Sequence, residues 1–377
     1  MNVRITPPQQ ASAEQEVQGP IDYWLLALLL IILCIGLLAV LSASGPVSQR
    51  EFKNSYHFFY HQLFTMGLGG VLIIILCLIP RKIINNSHYW AIAASIILLL
   101  LCILIGPKIN GSRRWINLHY VMLQPMEFAR IALVLYLAYF LGSKQAIVKF
   151  VWRGIFPPLI ISGMLIGLIM LQPDLGGAIL LALICFFMLL AGGSKIRHLI
   201  GVLLPLAILV GIAIIVSPYR IARVFAFLHP FDDMRGNGWQ LVQSLLALGS
   251  GGMFGVGLGG SIQKTGPLPE AHNDFIMSIV GEEIGFAGIV VIMILFALFF
   301  YRCYRVVLGQ KSLRDRLCAF GLTLAMAQSF LLNLAVILGA VPPKGIAMPF
   351  ISYGGSSLLA NMICAGLLLH YSRTSRE

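Results

Sequence analysis

Ten predominantly apolar runs, each long enough to cross a bilayer, fall at roughly 23–43, 59–80, 88–106, 125–142, 154–172, 176–193, 197–217, 274–302, 316–340 and 347–371. A span needs about 20 such residues. Inside hydrocarbon the backbone must satisfy its own polar groups, which favours helices. The chain is 59% hydrophobic and 11% charged, with mean hydropathy +0.90. That is more apolar surface than a soluble core of 377 residues can hide. The expected fold class is an all-α integral membrane protein of about ten transmembrane helices, with a large extracytoplasmic loop between helices 7 and 8.

Residues 1–20 are polar, rich in Pro and Gln, and carry Glu14 and Glu16. They lack the basic start of a cleaved signal peptide and are expected to form a disordered cytoplasmic tail. Residues 21–372 are then the polytopic domain, with 218–273 as its outer loop and 373–377 as a second cytoplasmic tail. An even number of spans leaves both termini on one side. That side holds 15 of the 26 Lys and Arg residues and the opposite face ten, with Arg130 inside a span. The bias puts the termini in the cytoplasm.

The seven cysteines are scattered, nearly all within apolar runs, with no CxxC, and the eight histidines show no paired-ligand spacing. Small buried hydrophobes explain the cysteines, and no structural metal site is expected. Gly255-Val256-Gly257-Leu258-Gly259-Gly260 matches GxGxxG, but no βαβ unit or ribose-binding acid accompanies it. These glycines read as tight turns and close backbone packing.

The chain has only 14 acidic residues, and acids at membrane depth are costly and usually functional. Asp274 stands where the polar loop meets an apolar helix and is the candidate catalytic group. Glu127 and Arg130 are neighbours on one helical face, serving as a structural ion pair, a substrate contact or both. Asp174 follows Pro173 in a broken apolar stretch, where it can cap the next helix or line a cavity. Glu282 and Glu283 lie two turns beyond Asp274 and are expected to be structural. The irregular stretch from Val341 to Ser357 is a candidate cavity wall. The outward cations Arg113, Arg114, Lys264 and Lys344 cluster in these motifs and suit an anionic ligand.

Several segments together resemble the SEDS family (shape, elongation, division and sporulation). They are Arg113-Arg114-Trp115-Ile116, Gln124-Pro125-x-Glu127-Phe128-Ala129, Gln172-Pro173-Asp174-Leu175-Gly176 and Gly238-Trp239-Gln240-Leu241-x-Gln243-Ser244. Leu268-Pro269-Glu270-Ala271-His272-x-Asp274-Phe275, Gly281-Glu282-Glu283-x-Gly285 and Pro349-Phe350-Ile351-Ser352-Tyr353-Gly354-Gly355-Ser356-Ser357 complete the set. Gly255 to Gly259, Gln263-Lys264 and Lys344-Gly345 lean toward the cell-division branch rather than the elongation branch. The chain departs from the family pattern at Met126, Arg130, Asn273 and Pro343, where Ser, Lys, Thr and Thr are usual. Arg130 keeps the charge but loses the point-like ammonium.

The resemblance implies a peptidoglycan glycosyltransferase that polymerises lipid II during septal wall synthesis, with Asp274 as the family's essential aspartate. It further implies pyrophosphate contacts from among Arg113, Arg114, Arg130, Lys264 and Lys344, with Glu127, Asp174, His272 and Ser352 also lining the substrate site. His272 could orient Asp274, bind sugar or be a plain loop residue. The implied partners are a single-span class B penicillin-binding protein and other division proteins, and no nucleic acid is expected. A divalent cation bridging the pyrophosphate is compatible with this chemistry, but no ligand set demands one. An elongation-type polymerase, a lipid-linked-sugar flippase and a non-catalytic scaffold are the alternatives.

Overall fold

The computed structural model describes residues 19–109, 111–117, 122–148, 150–201, 211–212, 215–216, 218–232, 236, 238–266, 268 and 271–373. Among them, thirteen α-helices carry the fold, and the only sheet is a two-residue antiparallel pair, Ile116–Asn117 with Met122–Leu123. Among the described residues, seven helices are long and apolar enough to cross a membrane. They are α1 (Tyr23–Phe52), α2 (His57–Leu78), α4 (His88–Ile105), α5 (Pro125–Ser143), α7 with the π-turn before it (Val151–Leu171), α11 (Ile276–Leu308) and α12 (Leu313–Ile337). The apolar α8 (Leu175–Ala191) is shorter, and α13 (Gly355–Ser372) is more polar. Short α3 (Arg81–Asn86) and α6 (Gln145–Val148) link longer elements. Most of the expected span at 197–217 and most of the two expected tails lie outside the described residues.

Helix α1 begins at an Asp cap. Asp22 Oδ1 accepts from Leu25 N at 3.1 Å, satisfying a donor that the first turn leaves open. Its other oxygen pairs with Arg302. Its backbone N donates to Ser372 Oγ at 2.9 Å, and Gly19 N donates to Arg373 O at 2.8 Å. The two ends of the described chain therefore meet on one face.

α5 and α13 are buried along most of their length and form the centre, with α2 packed on α13 and with α4 and α12 packed on α5. Around them Ile74, Leu78, Leu104, Ile105 and Leu171 are exposed. Such an apolar rim fits lipid better than water.

Three boundaries differ from the hydropathy reading. α1 continues past residue 43 to Phe52, because its polar last turn finds partners: Ser48 Oγ donates to Asn54 O at 2.5 Å, and Arg50 reaches the carbonyl of Thr265. The run expected to be helical from 347 stays irregular until Gly355. There Ser352 Oγ accepts from Met348 N at 2.8 Å, and Phe350 sits at φ 66. The 218–273 segment is not irregular throughout: it carries α9 (Pro218–Leu228) and α10 (Trp239–Ser250), the latter packed on α11.

α11 is broken at Gly285 (φ 67, ψ −171), a conformation open essentially to glycine alone. The glycine-rich stretch after α10 closes the gap. Val256 N and Gly257 N donate to the carbonyls of Glu282 and Glu283, each at 3.0 Å. Phe286 N and Ala287 N donate to Gly252 O and Met253 O at 2.9 and 3.0 Å. The backbone groups freed by the break are thus paired by a second segment, as main-chain polar groups withdrawn from water require. A Cβ on Gly285 would come within 2.7 Å of Met253 C, and one on Gly255 would strike the Glu283 carbonyl. Gly285→Ala is therefore expected to destabilise the protein by about 2 kcal/mol, measured as a lowered unfolding midpoint in detergent.

Candidate active site

Asp274 lies in the turn that leads into α11, and two hydrogen bonds hold that turn while a third fixes the neighbouring loop. Asn333, near the end of α12, donates through Nδ2 to Asp274 O at 2.8 Å and to Ile346 O at 2.7 Å. Tyr353 N donates to His272 O at 3.0 Å. The half-buried carboxylate rests against Gly345, where a Cβ would lie 2.7 Å from Oδ2. The loop between α12 and α13 thus passes directly beside Asp274.

Lys344, the preceding residue of that loop, points into a charged cluster. Its Nζ lies 3.7 Å from Asp174 Oδ1 and crosses Gly176, whose missing side chain leaves the passage. Asp174 also caps α8, accepting from Gly177 N at 3.1 Å, the first of the two roles expected of it. Arg114 donates to Pro173 O at 2.6 Å and so holds the break between α7 and α8. Glu127 and Arg130 form a buried ion pair, and Arg130 Nη1 donates to Ser329 Oγ at 2.6 Å. Arg130 Nε is buried and has no hydrogen-bond partner among the described residues. Burial lowers the pKa of Lys344; Asp174 opposes that shift, while Arg114 and Arg130 add to it. The structure therefore gathers Arg114, Glu127, Arg130, Asp174 and Lys344 into one electrostatic group, one residue along the chain from the glycine that touches Asp274.

The other expected residues are differently engaged. Arg113 Nη1 donates to Ile103 O and Leu104 O at 2.9 and 3.0 Å, capping the carbonyl end of α4. Lys264 is only 7% exposed; its Nζ donates to Glu283 Oε1 at 2.6 Å and to Ser42 Oγ at 3.1 Å. That network ties the Gln263–Thr265 turn to α1 and α11. Glu282 accepts from Ser261 Oγ and from Ile262 N at 3.0 Å, a structural use matching the expectation for this acid pair. Ser352 is buried and shapes its own turn. His272 is packed among rings, 4.7 Å from Phe58 and 5.7 Å from Tyr353 between centroids. Burial pushes the Tyr353 phenol up to about 12, so it stays protonated.

Sequence reasoning misses Asn333, Ser329 and the steric roles of Gly176 and Gly345. A signal for Asn333 exists, as a lone amide in an apolar run is a costly placement that calls for partners. Among the described residues, no group of three His, Cys, Asp or Glu side chains could hold a metal ion.

Known proteins with this architecture are related along nearly the whole chain. The probable peptidoglycan glycosyltransferase FtsW of Hydrogenovibrio crunogenus is 36% identical over 369 residues, covering 97% of this chain and 94% of that protein. Stage V sporulation protein E of Bacillus subtilis is 37% identical over 366 residues, covering 94% and 98%. Among solved structures, a chain of a peptidoglycan synthase complex that coordinates polymerization and crosslinking is 30% identical, with a TM-score of 0.78 over 94% of this chain and 98% of that one. The rod shape determining protein RodA of Thermus thermophilus is also 30% identical, with a TM-score of 0.71 over 95% and 98%. Residues 23–377 match the family of cell cycle proteins comprising FtsW, RodA and SpoVE, and the chain belongs to that family.

Proposed function

We propose that this protein is a peptidoglycan glycosyltransferase that polymerises glycan strands from lipid II, forms β-1,4 linkages and releases undecaprenyl pyrophosphate. The enzyme class is the one its relatives carry in their names. The observation that most supports this chemistry is the contact of Asp274 with Gly345, beside Lys344 and its cationic neighbours. A base and a set of cations at adjoining points suit a reaction that takes up a proton at one end and develops negative charge at the other.

Asp274 takes the proton of the acceptor sugar's 4-hydroxyl. The oxygen forms a bond to the donor's anomeric carbon as the bond from that carbon to the pyrophosphate oxygen breaks. The departing pyrophosphate keeps the electron pair, and one displacement inverts the centre. Lys344 and Arg114 stabilise the growing charge, with Arg130 behind them. No second carboxylic acid is required, because pyrophosphate leaves without being protonated once its charge is balanced. Lys264 and Arg113, held in structural contacts, take a supporting part at most.

The same reading has both termini in the cytoplasm and the site on the outer face of the bacterial cytoplasmic membrane. It assigns 1–20 and 373–377 to short tails, 21–372 to the polytopic domain and 218–273 to its outer loop. The family's description as cell cycle proteins supports a septal role. The similarity to a complex that couples polymerization to crosslinking supports a crosslinking partner, of the single-span class B penicillin-binding type. A flippase is the second reading, because the interruptions at Gln172–Asp174 and Gly285 resemble those of transporters. Purified full-length protein with labelled lipid II decides between them, with and without the transpeptidase. Glycan ladders support the polymerase. Vesicle translocation with no polymer under either condition overturns it.

A further inference from the structure

Asn333 lies in the last turns of α12, is 1% exposed, and has no charged residue within a turn of it on its own helix. Both its contacts are with main chain. One hydrogen of Nδ2 goes to the carbonyl of Asp274, the other to the carbonyl of Ile346, two residues beyond Lys344. Two carbonyls converging on one nitrogen need both of its hydrogens, which fixes the amide's orientation. The remaining oxygen, Oδ1, is buried and has no hydrogen-bond partner among the described residues. An amide kept in an apolar helix with its acceptor unsatisfied is costly, and what it secures is the distance between two loops.

We propose that Asn333 is a positioning residue for the reaction: it clamps the base-bearing turn to the cation-bearing loop and so sets where the Asp274 carboxylate stands relative to Lys344. The inference rests on the reading of Asp274 as general base. The nearest substitutes do not meet the geometry. Asp offers only acceptors to two carbonyls when ionised, Ser offers one donor, and Gln carries an extra methylene into a fully buried position. Gly345 is the other half of the clamp, since it lets the carboxylate close against the loop.

The test is steady-state polymerisation of labelled lipid II by the full-length protein with its transpeptidase. Asn333→Ala, Asn333→Asp, Gly345→Ala and Asp274→Asn are compared with wild type across substrate concentration and pH, with detergent melting as a fold control. A misplaced base lowers kcat while leaving donor binding intact. Asn333→Ala is expected to lower kcat about 10- to 100-fold with KM within about threefold, and to move the acidic limb of the kcat–pH profile. Gly345→Ala should give the same kcat-selective loss. The proposal is overturned if Asn333→Ala leaves kcat within about threefold of wild type, or if kcat, KM and melting all deteriorate together with no change in the pH profile. Should Asn333→Ala fail to fold, the same criteria apply to Asn333→Asp, which preserves volume; failure of both to fold marks a purely structural residue and also overturns it. An active Asp274→Asn instead removes the underlying reading, whatever the Asn333 variants do.

Discussion

Asp274→Asn should slow glycan polymerisation by about two to four orders of magnitude, the range a positioned general base contributes. The substitution is nearly isosteric. The Asn333 bond goes to the backbone carbonyl of residue 274 rather than to its side chain, so the turn keeps its anchor. The gap above Gly345 accepts an amide as readily as a carboxylate. What disappears is the ability to take a proton. The expected result is a protein that inserts, melts normally and binds lipid II, yet makes no glycan ladder on the time scale of the wild type. Ladders forming at the wild-type rate would rule out base catalysis at this position. Asp274→Glu is a useful companion: its extra methylene has little room against Gly345, so it should recover only part of the rate.

Lys344→Met should raise KM for the lipid-linked donor by about 100-fold, the loss expected when a charge-assisted contact to a phosphate is removed. Here the expected direction of stability is opposite to that of activity. Burial holds the Lys344 pKa below its ordinary value. The unfolded chain therefore binds this proton more tightly than the folded one, and the charged side chain weakens the fold at neutral pH. That penalty is relieved as pH rises through the lowered folded value toward the ordinary one. Met removes the desolvated charge, so the melting temperature should stay within about 4 °C of wild type or rise. Asp174 keeps its bond from Gly177 N. The same shift gives a pH signature. In wild type, donor KM should climb on the alkaline side earlier than an ordinary lysine would dictate, and Lys344→Met should lack that limb. A variant whose KM matches wild type across pH would remove Lys344 from the donor site.

Much of this architecture is legible in the residues taken in order. The break at Gln172-Pro173-Asp174 is signalled by Pro and an N-capping acid, and α8 starts immediately after it. Apolar runs mark most long helices because lipid imposes one requirement on every span. What a linear reading lacks is information held between distant segments. The 274–302 run is largely apolar, so nothing in its hydropathy discloses that Gly285 leaves the helix; the segment that makes this tolerable is Gly252 to Gly257, on the far side of a loop. Arg113 and Lys264 are recognisable as cations, but a charge does not declare its partner. One caps α4 and the other pairs with Glu283. Asn333 stands out in the sequence as an amide in an apolar run, but its partners are carbonyls on two other segments, which the sequence does not name.

The repair at Gly285 has a mechanical consequence. Where two stretches exchange main-chain partners, neither can slide without the other, and the coupling is indifferent to which side chains decorate it. A pull applied to Gly252–Gly257 would pass to α11 through the main chain rather than through a relay of side-chain contacts. Only the residues lacking a Cβ at the junction are irreplaceable in that linkage.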